Sequence, residues 1–131
     1  MIILDTQSLI WWIGNPKKLS KEAARAIDKA TGSGKLYASS ISIWEICMLV
    51  KGGRLNLTMD IADWIEKVEA LPFLQFIPVD NNIALKSVFL PPPFHKDPAD
   101  RIIIATALNL GATIVTSDRR ILKYSHGRSI W

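Results

Sequence analysis

The sequence predicts a three-layer α/β domain with a central, mainly parallel sheet, and three observations carry that prediction. Short apolar runs of strand length recur along the chain, longer stretches with helical periodicity lie between them, and Gly, Pro or capping residues separate the two. Strands alternating with helices imply right-handed crossovers and a parallel sheet covered on both faces.

Taken in order, Ile2–Leu4 is an apolar run ending in Asp5, and residues 7–13 read as a helix stopped by Gly14 and Pro16. Residues 19–30 carry alanines and alternating charges at helical spacing with Ser20 as cap; residues 31–34 supply a turn, and 35–39 a second strand. Residues 40–50 are apolar around most of the helical circumference, which predicts a deeply packed helix closed by Gly52 and Gly53, with Glu45 inside it. An amphipathic helix over 58–70, a third strand over 73–79 and a helix over 81–90 capped by Asp80 follow, up to the break at 91–93. Asp97-Pro98-Ala99-Asp100 has the form of a helix start with proline in the first turn, leading into an apolar helix over 101–110 that Gly111 ends. Residues 112–116 form the fourth strand, Asp118 follows, and the tail through Trp131 reads as a short helix and a last edge strand.

At 131 residues and 49% hydrophobic content, the chain is expected to be a single domain spanning 1–131. A net charge of +4 favours a polyanionic partner. Cys47 is the only cysteine, which excludes an intrachain disulfide and a cysteine-rich zinc site and suits a cytoplasmic location. The opening residues lack a basic leader and place Asp5 where a signal core would run, and no apolar run reaches the roughly 18 residues of a membrane span.

Ligands of open parallel sheets bind beyond the carboxyl ends of the strands. Asp5 and Asp118 sit at that edge, and the loop before Asp100 brings it to the same rim. Glu45 shares a helix face with Ile41 and Met48, so it is expected to point inward, where a lone carboxylate asks for a compensating cation. Two plainer readings stand beside this one. Asp5, Asp97, Asp100 and Asp118 all occupy positions common for helix caps or first-turn acids, Asp97 most clearly, and Glu45 has Arg101 or Arg119 as structural salt-bridge partners. An all-carboxylate set favours Mg²⁺ or Mn²⁺ over Zn²⁺, and the chemistry such a site supports is phosphodiester hydrolysis. Arg101, Arg119, Arg120 and Lys123 are candidate phosphate contacts, and Trp11-Trp12 a candidate stacking or partner surface; Trp44 and Trp64 are expected in the core, and His95 and His126 receive no role.

Four segments, Ile3-Leu4-Asp5-Thr6, Ser42-Ile43-Trp44-Glu45-Ile46, His95-Lys96-Asp97-Pro98-Ala99-Asp100-Arg101 with the apolar helix after it, and Thr116-Ser117-Asp118, together resemble the PIN-domain ribonucleases. The likeness is closest to the VapC-type toxins of toxin-antitoxin pairs and spans nearly the whole chain. It implies a PIN-like fold in which Asp5, Glu45, Asp100 and Asp118 are catalytic and metal-holding, Thr6 or Thr116 assists, and Asp97 is secondary. It further implies Mg²⁺ or Mn²⁺, a structured RNA substrate, a homodimer, and an antitoxin whose peptide tail wraps the toxin. Ala99 stands where many relatives carry phenylalanine, a change of packing rather than chemistry. Two alternatives remain open at this stage: a PIN-like module that binds nucleic acid without cutting, and a phosphoacceptor receiver domain with Asp80 as acceptor.

Overall fold

Side chains alternate across a strand and recur along one stripe of a helix, so this sequence must bury two apolar layers around its sheet. The computed structural model, which describes residues 1–131, has both. Strands β1 (Ile2–Leu4), β2 (Leu36–Ser39), β3 (Leu74–Ile77), β4 (Thr113–Val115) and β5 (Ser129–Ile130) form one sheet in the order β3-β2-β1-β4-β5, with every pairing parallel. Around it lie α1 (Thr6–Gly14), α2 (Lys21–Ser33), α3 (Ser40–Lys51), α4 (Ile61–Glu69), α5 (Asn81–Val88), α6 (Pro98–Leu110) and α7 (Arg119–Leu122). No helix is long and apolar enough to cross a membrane.

On one face, Leu4, Leu36, Ala38, Leu74 and Val115 pack against Leu9 of α1, Ile27 of α2, Ile46 of α3, and Trp64 and Val68 of α4. On the other, Ile3 and Ile114 meet Ile83 of α5, Ile103, Ile104 and Ala107 of α6, and Ile121 of α7. Neighbouring residues of β1 and β4 thus feed opposite layers, and each fully buried aliphatic contributes about 1.5–3 kcal/mol.

Two details depart from the sequence reading. The turn expected at 31–34 is helical through Ser33; the helix ends only where Gly34 adopts φ 69° and returns its N–H to Ala30 and Thr31. More consequentially, α3 is not deeply packed. Only Ser42 and Ile46 of α3 are buried, while Trp44 and Met48 are 57% and 52% exposed, so Trp44 is not a core residue and Met48 does not carry Glu45 inward. Apolar content around a helix registers what the side chains are, not what covers them. Trp64, by contrast, is buried as expected.

Arg101 fastens the second layer. Its Nε donates to Ser87 O at 2.7 Å and its terminal nitrogens to Val88 O at 2.9 Å and His95 O at 3.3 Å, satisfying two carbonyls that the end of α5 leaves open and one in the loop before α6. The guanidinium expected to hold phosphate is therefore engaged with main chain. Arg101→Ala should lower stability by about 2–3 kcal/mol, the range for losing charge-assisted hydrogen bonds, as measured by urea unfolding. An unchanged midpoint would show the three bonds to be incidental.

Candidate active site

The site begins with a register. Ile2, Ile3 and Leu4 pair with Thr113, Ile114 and Val115, so the next residues, Asp5 and Thr116, leave the sheet side by side at its carboxyl edge. Asp5 caps α1 by accepting from the Ser8 N–H at 2.8 Å through Oδ1, and its Oδ2 accepts from the Thr116 hydroxyl at 2.5 Å. Thr116 in turn accepts from the Asp118 N–H at 3.0 Å. One buried threonine therefore ties together the acids that follow β1 and β4.

Glu45 comes from a different layer but reaches the same rim. The Thr6 hydroxyl donates to Glu45 Oε1 and shares a 2.9 Å hydrogen bond with the Ser42 hydroxyl, fixing α3 against the start of α1. Glu45 is half-buried and forms no ion pair with Arg101, Arg119 or any other cation. The structural salt bridge weighed from sequence is thus absent.

Asp97 is exposed and caps α6, accepting from the Asp100 N–H at 3.0 Å. Asp100 projects from the first turn of that helix, with Oδ2 at 3.3 Å from His95 Nε2 and 3.9 Å from an Arg120 nitrogen. Asp118 caps α7 through the Arg120 N–H at 2.8 Å and also holds the Arg120 guanidinium at 3.0 Å. Arg119 is exposed at the start of α7. His95 had no signal in a loop-like stretch. Its place beside Asp100 depends on the path of residues 91–97, which periodicity does not encode.

The charges bear on one another. Burial above all, and the Asp118 charge least, push the Asp5 carboxyl up against hydrogen bonds that pull it down. Burial raises Glu45 as well, helped by Asp97 and Asp5. Asp100 is pushed up to about 7, first by burial and then by Asp97, Asp118, Glu45 and Asp5. Asp118 alone runs the other way, held low chiefly by the Arg120 guanidinium. Burial, then the Arg120 charge, hold the His95 imidazole below its usual range.

This arrangement fits a hard divalent cation. Asp5 and Glu45 are oriented only by hydroxyls and a main-chain N–H, and no cationic side chain neutralises either. The charge so gathered is costly to ionise without a cation, and carboxylate oxygens are the donors that Mg²⁺ and Mn²⁺ prefer.

Comparison with known proteins agrees with this fold. A family model described as the PIN domain matches residues 2–127. Ribonuclease VapC22 of Mycobacterium tuberculosis (strain ATCC 25618 / H37Rv) is 32% identical over 129 residues, covering 98% of this chain and 95% of that protein. Among solved structures, VapBC2 from Rickettsia felis, bound to a DNA fragment from its promoter, superposes with a TM-score of 0.72 at 14% identity, covering 100% of this chain and 99% of the other. FitAcB from Neisseria gonorrhoeae gives 0.69 at 20% identity, covering 100% and 97%.

The Asp100 carboxyl links the site to stability. Its folded value near 7 lies above the ordinary 3.8, so as pH rises between these values the unfolded chain releases a proton that the folded one retains. In EDTA the melting temperature should therefore fall from about pH 4 to pH 7 through this group. Asp100→Asn should flatten that slope and raise the melting temperature at pH 8. An equal slope in the variant would contradict the assignment.

Proposed function

The chain belongs to the PIN domain family, and from that premise we propose that it is a metal-dependent endoribonuclease acting as the toxin of a toxin-antitoxin pair. The observation that carries this reading is the convergence of Asp5, Glu45, Asp100 and Asp118, from four separate segments, on one sheet edge where Asp5 and Glu45 lack any balancing cation. The relative named a ribonuclease supports the substrate class, and likeness in fold to a toxin-antitoxin complex from Klebsiella pneumoniae (TM-score 0.67, 19% identity) supports the biological setting.

In this mechanism the four acids would hold Mg²⁺ or Mn²⁺, which when bound would supply positive charge for the attacked phosphate and lower the pKa of water. The chain's residues do the rest. Thr116 holds Asp5 and Thr6 holds Glu45, so both carboxylates meet the cation in fixed orientations rather than paying for alignment at each turnover. Arg120, 60% exposed beside Asp100 and Asp118, stands where an entering RNA phosphate would find a guanidinium, and Arg119 adds charge at the same helix start. Asp97 acts on Asp100 mainly by capping its helix.

The partner readings have support elsewhere on the surface. A groove of about 400 Å³ lined by Ile10, Trp11, Ile13, Leu57 and Trp64, with Lys18 and Arg54 at its side, suits an amphipathic antitoxin segment carrying acidic residues. The exposed Trp44 and Met48 of α3 and Val88 and Phe89 beside α5 are apolar surface available to a homodimer. A receiver domain is disfavoured because Asp80 follows β3, the outermost strand, and caps α5 through the Ile83 N–H.

Purified protein should cut RNA in Mg²⁺ or Mn²⁺ and stop in EDTA. Asp5→Asn or Asp100→Asn should slow cleavage by about 10²–10³-fold, the scale of losing one preorganised electrostatic contact. Cleavage that persists in EDTA and in both variants would exclude this mechanism; binding of every RNA tried without turnover would favour the non-cleaving module.

A further inference from the structure

We infer that His95 is a positioning residue of this site: its Nε2–H holds the Asp100 carboxylate in the orientation that faces the cation. The inference rests on the metal-dependent reading above. Three of the four acids have an evident orienting donor: Thr116 and the Ser8 N–H for Asp5, Thr6 for Glu45, and Arg120 for Asp118. The Asp100 carboxylate accepts no hydrogen bond, yet His95 Nε2 lies 3.3 Å from its Oδ2. That nitrogen is sealed from solvent and has no aligned partner of its own. A buried N–H and a carboxylate at this separation satisfy each other once the carboxylate turns by a small angle.

The ring is prepared for the task. The Asp97 N–H donates to His95 Nδ1 at 3.3 Å, so in the neutral imidazole Nδ1 is the acceptor and the proton sits on Nε2. Phe94 packs against the ring with centroids 4.1 Å apart. The ligating atoms of His95, Asp100 and Asp118 lie within 4.8 Å of one another, so direct ligation by Nε2 is the competing arrangement. Ligation would require the proton on Nδ1, where it would confront the Asp97 N–H. The hydrogen-bonding role requires no such transfer.

Mn²⁺ titrated into the full chain, freed of metal, distinguishes these cases. Asp100→Asn should weaken Mn²⁺ binding by well over tenfold, and His95→Ala by about tenfold, as for other groups that orient metal ligands. His95→Gln, whose amide N–H reaches a similar point, should recover most of the affinity. In the unmodified protein, ¹⁵N spectra of the His95 ring should show Nε2 protonated both before and after Mg²⁺ is added. That spectrum also decides the matter if His95→Ala does not fold. Unchanged affinity in His95→Ala, no recovery in His95→Gln, or a proton on Nδ1 with Mg²⁺ present would overturn the role while leaving the four acids in place. Undiminished Mn²⁺ binding by Asp100→Asn would instead remove the metal reading on which it rests.

Discussion

Because β1 and β4 run parallel with Leu4 opposite Val115, the first residues beyond each strand emerge on the same rim, and everything chemical in this protein depends on that pairing. A shift of one residue would send Ile3 and Ile114 into the layer that receives Leu4 and Val115, so the two cores police the register that the site needs. Thr116 then converts register into chemistry by bridging Asp5 and the backbone of Asp118. Asp100 and Glu45 are delivered by helices packed on opposite layers, so positions distant in sequence bear on one another's charge at one rim, while only Asp100 and Asp118, with His95, place ligand atoms within 4.8 Å of one another.

The same geometry sets stability against function. Asp5 is almost wholly buried and caps α1, an inexpensive way to hold one carboxylate, since the hydrogen bond it accepts from the Ser8 N–H is one the start of α1 needs in any case. Glu45 and Asp100 have no such dual use and keep raised carboxyls. Arg120 relieves only Asp118 and, more remotely, Asp100. The fold thus neutralises one end of the cluster itself and leaves the other dependent on a cation.

Much of this was legible in the sequence, for identifiable reasons. Short apolar runs and capping residues mark where strands end and helices begin, so the five strands, the order of elements and the acids at the rim follow from local chemistry. The cap reading of Asp5 and Asp118 does not displace the proposed catalytic one, because each carboxylate caps its helix while standing at the rim. What sequence did not reveal was long-range. The inward turn of Glu45 comes from Thr6, 39 residues away, and not from the packing of Met48, which is exposed. Arg101 looked like a phosphate contact because its charge is visible and the carbonyls awaiting it at the end of α5 are not. His95 was silent because a loop carries no periodicity to place its ring.

The last strand gives the β4 edge a temporal meaning. Ile114 donates to Arg128 O and Thr116 to Ile130 O, so the strand that presents Thr116 and Asp118 is itself held by residues 128–130. On a ribosome, Asp5 emerges early, with Thr116, whose hydroxyl orients it, 111 residues from being made. Contacts spanning 111 residues close late and slowly. A chain that stops short of residues 128–130 therefore lacks the strand that holds β4 in place, and its rim stays incomplete.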